Sequence, residues 1–266
     1  MRAVILAAGR GTRLNGHTSD VPKALLPIGG LTLIERQLRA LRDAGVDDTV
    51  VVVGCRADEV RRHCGPGVTY VENRSYADTN SLYSLWLARH LLTDGIVVLN
   101  CDVLFHPQLL TDLLTARHES ALLVAYRDPG EPPFGDEEMK VRVRGGRVLE
   151  MGKALGPDAD AENVGLLRFD APAVPALTRI LDATVAAGGV REWAPRAFSA
   201  LAAERPLWAI GTRGFPWIEV DFPEDYDRAL AEVLPQIETD APRRADAAPT
   251  RPAEAGRVVL ARAGGR

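Results

Sequence analysis

Within the first hundred residues one pattern recurs, and it narrows the fold more than any other feature of the chain. Short apolar runs at residues 3–7, 49–53, 68–71 and 96–99 alternate with amphipathic stretches at residues 33–44, 58–63 and 81–92. Apolar runs of this length, bounded by glycine or polar residues, read as strands buried on both faces, and the amphipathic stretches read as helices. The helix at 33–44 carries its own boundaries. Thr32 stands as its cap, Leu33, Ile34, Leu38 and Leu41 fall on one face, and Gly45 closes it. Strands alternating with helices imply a mostly parallel central sheet covered on both sides, a Rossmann-like three-layer α/β/α architecture.

The pattern changes after Leu122. Strands are predicted at 122–126, 140–143, 147–151 and 164–169, with Gly145-Gly146 as a hairpin turn. Helices follow at 172–186 and 191–203, then short strands at 207–210 and 217–220 and a closing helix at 224–233. This second half is expected to wrap around the same sheet, so residues 1–237 form one domain. From residue 238 to 266, Ala, Pro, Arg and Asp dominate with little apolar periodicity, and this tail is expected to be disordered.

Charge and cysteine content exclude several classes of function. With 32 Lys plus Arg against 36 Asp plus Glu, and no basic block, neither nucleic acid nor a membrane surface is favoured as partner. Cys55, Cys64 and Cys101 form no C-x-x-C pair, which reads as reduced thiols. The absence of a signal-like start and of a bilayer-length apolar run makes a cytoplasmic protein the expectation. The sequence leaves a homodimer open. Lysine occurs only at Lys23, Lys140 and Lys153, every other basic position being arginine. A compact ammonium held against a phosphate is one reason for lysine to persist in such a chain.

The first strand runs into Leu6-Ala7-Ala8-Gly9-Arg10-Gly11-Thr12-Arg13-Leu14. Its glycines let backbone N–H groups approach an anion. The loop is not a P-loop, because Gly11 is followed by Thr12-Arg13, and it lacks the third glycine of a dinucleotide fingerprint, because position 14 is leucine. Arg13 offers a two-pronged fork to the β and γ phosphates of a nucleotide, and Lys23, after Pro22, a point charge near the α-phosphate. Asp102, in Asn100-Cys101-Asp102, and Asp221, in Glu219-Val220-Asp221-Phe222-Pro223-Glu224, both follow strand ends, where ligands of open α/β sheets gather. Hard oxygen ligands of this kind suit Mg²⁺. Asp102 also reads as a turn residue before Pro107, and Asp221 as a helix cap boxed by Glu224.

The loop with Pro22-Lys23 downstream resembles the nucleotidyltransferase family that includes sugar-1-phosphate nucleotidylyltransferases and phosphocholine cytidylyltransferases. Asn80-Ser81-Leu82-Tyr83-Ser84 is similar to the phosphocholine and phosphonate cytidylyltransferase branch. The resemblance implies an enzyme that moves a nucleoside monophosphate from an NTP, here CTP, to a small phosphorylated or phosphonate acceptor and releases pyrophosphate. It implies that Leu6, Ala8, Gly9, Gly11 and Thr12 meet the nucleotide, that Arg13 and Lys23 are catalytic, and that Asp102 and Asp221 hold Mg²⁺. Asn80 and Ser81 are implied to read the base, although both also suit a helix cap. Lys153, Glu162 and Trp193 are implied on the acceptor side, and Glu219 faces the same pocket or a solvated edge. Trp193 and Trp217 equally suit a core, and Lys140 a pair with Glu137 or Glu138. Two rivals remain at this stage: a sugar-1-phosphate nucleotidylyltransferase using GTP, dTTP or UTP, and a silent nucleotide-binding homologue. A glycosyltransferase usually carries Asp-x-Asp, from which Asn100-Cys101-Asp102 departs.

Overall fold

The computed structural model describes residues 1–11, 13–14, 21–128, 130, 132–240 and 258–259. The strands are β1 (Arg2–Ala7), β2 (Pro27–Ile28), β3 (Leu31–Thr32), β4 (Thr49–Val53), β5 (Thr69–Glu72), β6 (Ile96–Asn100), β7 (Val103–Phe105), β8 (Ala121–Tyr126), β9 (Lys140–Arg144), β10 (Arg147–Gly152), β11 (Ala161–Phe169), β12 (Trp208–Gly211), β13 (Trp217–Glu219) and β14 (Val258–Val259). The helices are α1 (Leu33–Asp43), α2 (Ala57–Cys64), α3 (Ser81–Leu87), α4 (Pro107–Thr115), α5 (Val174–Ala186), α6 (Ala194–Glu204), α7 (Pro223–Arg228) and α8 (Leu234–Asp240).

Among the described residues ten strands share one sheet, in the order β14-β5-β4-β1-β6-β11-β8-β12-β10-β9. From β14 to β6 every pair is parallel. From β6 onward the sheet is mixed: β11 runs antiparallel to β6 and β8, β12 parallel to β8, and β10 antiparallel to both β12 and β9. The parallel character belongs to the first half of the chain. Alternation along β1 shows why the sheet needs two covers. Val4 and Leu6 join the core under α3, α5 and α6, while Ala3, Ile5 and Ala7 join the core under α1, α2 and α4. A third, smaller core gathers Leu14, Leu26, Ile28, Leu104, Ile218, Val220 and Val233 beneath the closing helices.

α1 begins as its sequence predicts. Thr32 Oγ1 accepts from the Glu35 N–H at 3.3 Å and Glu35 Oε2 accepts from the Thr32 N–H at 2.7 Å, a reciprocal capping box. Other boundaries move. The helix expected over 81–92 ends at Leu87 and continues as a short 3₁₀ turn, Arg89–Leu91. The segment after Asp102 contains β7 and α4; β7 carries no readable periodicity because it has only three residues and pairs with the distant β13, whereas α4 buries Leu109, Leu110 and Leu113 at helical spacing behind Pro107. The closing helix is longer than expected. α7 passes through a π-helical stretch, Ala229–Val233, into α8, so Glu238, Thr239 and Asp240 are helical rather than the start of a tail. Val258–Val259 adds a parallel strand beside β5, and the remainder of the expected tail lies outside the described residues.

Candidate active site

β1 is hydrogen-bonded between β4 and β6, with Leu6 opposite Val52 on one side and Asn100 on the other. The loop leaving β1 therefore emerges at the carboxyl ends of three parallel strands. It is stitched there by the Cys101 N–H donating to Leu6 O at 3.3 Å and the Cys55 N–H donating to Ala8 O at 3.1 Å. Gly54, after β4, lies so close that a Cβ would stand 2.7 Å from Ala8 O and 2.8 Å from Tyr76 Cβ. No side chain fits between the first loop and the segment after β5.

A cavity of about 350 Å³ opens over these strand ends. Leu6, Ala8, Gly9, Gly11 and Arg13 line it from the end of β1 and the loop that follows, Lys23 from the turn after Pro22, and Asn80 and Ser81 from the start of α3. Asp102, Asp221, Glu219, Lys153 and Trp193 complete the predicted set. Thr12 lies outside the described residues. Glu162 is the exception: it does not line the cavity, whereas Asn163 does, yet it stands near enough to the acidic cluster for its charge to act on Glu219. The glycine of that segment has a local reason. Gly165 adopts φ +86° within a register shift of β11, and a Cβ there would approach Asn100 Nδ2 to 3.0 Å.

Lys23 sits in a 3₁₀ turn directly after Pro22, buried, with Nζ donating to Asp102 Oδ2 at 2.8 Å and to Asp221 Oδ1. Burial works against its charge, but the two carboxylates outweigh it, and its pKa stands above the usual lysine value. Lys23 is a permanent cation and no base. Asp102 enters from the turn between β6 and β7, and Asp221 follows β13. Antiparallel pairing of β7 with β13 sets Glu219 opposite Val103, and the Val220 N–H donates to Asp102 O at 3.0 Å. Asp102, Glu219 and Asp221 each offer an oxygen within 4.8 Å of the others. The Glu219 carboxyl is pushed up to about 8 by burial and by its neighbours Asp102 and Asp221. Asp102 Oδ1 is buried with no hydrogen-bond partner among the described residues. Three converging hard oxygen donors and one orphaned oxygen fit a divalent cation. The capping role is taken elsewhere: Asp225 Oδ2 accepts from the Asp221 and Phe222 N–H groups at 3.1 and 2.9 Å, so the Asp221 side chain faces the cavity. Burial pushes the Cys101 thiol up, which removes it as a nucleophile.

Sequence reasoning missed Glu137. Its Oε2 accepts from Arg13 at 3.0 Å and from Lys153 at 2.9 Å, joining the two cations across the cavity mouth. Those partners, Lys153 first, hold its carboxyl below the usual range. No periodicity marks an acid in a polar loop. Asn73 was also missed, although it follows the end of β5 and the strand-end rule that flags Asp102 applies to it. It is buried and donates to Thr79 Oγ1 at 3.0 Å and Ser84 Oγ at 3.1 Å. Asn80 caps α3, accepting from the Ser81 N–H at 2.8 Å, and still lines the cavity, so its two readings coexist. Trp193 is 44% exposed just before α6, not within a helix or core, and Lys153 Nζ lies 5.3 Å from its ring centroid. Lys140 makes neither expected pair; it is buried and donates to Gly135 O.

A strand-end loop, a fixed ammonium and three carboxylates converge on one cavity, a charge pattern chemically suited to phosphate oxygens and a divalent cation. The chain belongs to the family of MobA-like NTP transferase domains, whose model matches residues 3–245. It is 37% identical over 232 residues to a bifunctional IPC transferase and DIPP synthase of Rubrobacter xylanophilus, covering 84% of this chain and only 50% of that protein. A choline-phosphate cytidylyltransferase of Streptococcus pneumoniae is 30% identical over 195 residues, covering 71% of this chain and 78% of its own. Among solved structures, a CTP:phosphocholine cytidylyltransferase from Streptococcus pneumoniae aligns with TM-score 0.70 and 26% identity over 88% of this chain and 98% of that one. No helix among the described residues is long and apolar enough to cross a membrane.

Proposed function

We propose that the protein is a cytidylyltransferase that transfers CMP from CTP to a small phosphorylated or phosphonate acceptor. One acceptor oxygen forms a bond to the α-phosphorus as the bond to the β-phosphate breaks, and pyrophosphate leaves with the electron pair. The observation that carries this reading is the meeting of Arg13, Lys23, Asp102, Glu219 and Asp221 in a single cavity. The names of the relatives support CTP and a phosphate or phosphonate acceptor. Because the Rubrobacter protein is twice as long as the shared region, its full set of activities is not carried over.

Asp102 and Asp221 would hold Mg²⁺, with Glu219 as a third oxygen donor within reach. When bound, Mg²⁺ supplies charge neutralisation at phosphate oxygens. Lys23, permanently protonated, stabilises charge that builds on the α-phosphate, and Arg13 holds the outer phosphates by its fork. Lys153 receives the anionic end of the acceptor. An acceptor already ionised needs no general base, so catalysis reduces to positioning and charge. Asn80 and Ser81 line the base end of the cavity.

Pyrophosphate release tests the reading. The four NTPs are paired in turn with inositol 1-phosphate, phosphocholine, aminoalkylphosphonates and hexose 1-phosphates. Release with CTP and one of the first three acceptor classes is expected. Release confined to GTP, dTTP or UTP with a hexose 1-phosphate would replace this reading with the sugar-nucleotide one. Nucleotide binding without release under Mg²⁺ would leave a silent homologue.

A further inference from the structure

We infer that Gln37 is a positioning residue that fixes the direction of the Asp102 carboxylate, an inference that rests on the metal role given to Asp102 above. Gln37 belongs to α1, is 1% exposed and does not line the cavity. Its Nε2 donates to Asn100 O at 2.8 Å and to Val103 O at 2.9 Å. Those carbonyls stand immediately before and after Cys101-Asp102, the turn that carries the carboxylate out of β6. The amide orientation is forced, because the flipped rotamer would set its own oxygen against two carbonyl oxygens.

Lys23 Nζ holds the carboxylate itself at Asp102 Oδ2, 2.8 Å away, and the rest of the turn's backbone is held by main chain. The Cys101 N–H donates to Leu6 O and the Val220 N–H to Asp102 O. Gly165 closes the opposite side, where a Cβ would come within 3.0 Å of Asn100 Nδ2 and 3.1 Å of Val103 Cγ2. Gln37 is the side chain that reaches both flanks of the turn.

Core packing alone does not account for an amide here. The other buried residues of α1 are Leu33, Ile34, Leu38, Ala40 and Leu41, and an apolar residue would continue that face. Gln37 Oε1 has no partner among the described residues, so the side chain carries an uncompensated desolvation cost on one atom. What the amide contributes is two donors on the backbone that aims Asp102. Without them the turn relaxes, Asp102 shifts relative to Asp221 and Glu219, and the oxygen cluster loosens.

The test titrates Mn²⁺ into the full chain and reads free ion by electron paramagnetic resonance. Gln37→Met keeps similar volume and removes both donors. Gln37→Glu keeps the shape and, protonated in the core, offers one donor. Leu41→Ala opens space in the core under the same helix and leaves both Gln37 donors in place. The Mn²⁺ dissociation constant is expected to rise about tenfold or more in Gln37→Met, to rise less in Gln37→Glu, and to stay at the wild-type value in Leu41→Ala although all three lower Tm. In turnover, kcat falls in Gln37→Met while the acceptor KM holds. Wild-type affinity in Gln37→Met, or equal weakening in Leu41→Ala, overturns the positioning role. Should Gln37→Met fail to fold, Gln37→Glu against Leu41→Ala decides in the same way. A wild-type protein that, with CTP present, binds no more Mn²⁺ than CTP does alone overturns the metal role of Asp102 itself, an outcome distinct from one that removes Gln37 alone.

Discussion

At one end of the cavity Lys23, Asp102 and Asp221 meet over the strand ends, with side-chain exposures of 9, 20 and 28%. At the other end Lys153 pairs with Glu137, whose side chain is 55% exposed, beside the exposed ring of Trp193. The first end is held by main chain from β6, β7 and β13, and its charges act through little solvent. The second is held by side chains alone, with Glu137 largely in solvent although Lys153 is only 28% exposed, and an ion pair there contributes about 0–1 kcal/mol. Chemistry common to NTP transfer suits the rigid end. Recognition of a particular acceptor suits the open one, where a few exposed substitutions alter the partner without disturbing the sheet.

This contrast can be broken by mutation. Asp102→Ala is expected to lower kcat by about 10²–10³-fold or more while the protein stays folded, since Lys23 keeps Asp221 as partner. Wild-type turnover would remove Asp102 from the chemistry. Arg13→Lys keeps the charge but loses the fork, and should raise the CTP KM about tenfold; an unchanged value contradicts its placement on the outer phosphates. Lys153→Ala should raise the acceptor KM roughly fivefold and leave the CTP KM alone. If both rise together, the two ends are not separable.

The smallest effect concerns stability. The Glu219 carboxyl is raised from the usual 4.5 to about 8. The folded state therefore binds a proton that the unfolded state has released, and stability falls as pH rises through that window. Glu162, raised to about 7 by burial first and then by Glu138 and Asp225, adds the same sign over a narrower range. Metal-free protein should lose Tm between pH 4.5 and about 8, and Glu219→Gln should flatten the slope. A slope of the same steepness in that variant would assign the effect elsewhere.

The parallel half of the sheet is legible because each of its strands and helices announces itself locally: β1 and β4 by continuous apolar runs, α1 by a capping box that sequence and structure share. β7 is not, because three residues carry no periodicity and its partner, β13, lies over a hundred positions away; α4 does carry a local signal, Leu109, Leu110 and Leu113 behind Pro107. The cavity follows the same division. Residues on strand ends or beside glycines, such as Asp102, Asp221 and Gly11, can be found by position. Glu137 and Trp193 owe their places to long-range packing of loops, and Glu162 stands beside the acidic cluster rather than on the cavity wall. Gln37 reads as an ordinary helix residue until the turn it grips is known.

The clearance at Gly54 has a mechanical consequence. Loop 8–11 and segment 73–80 touch across a gap that already excludes a methyl group, with Ala8 on one side and Tyr76 on the other. Neither can settle inward independently, so a displacement that begins in one segment pushes on the other. Two stretches of chain separated by some sixty residues thus have little freedom to close on each other, and this part of the cavity floor resists compression as one plate.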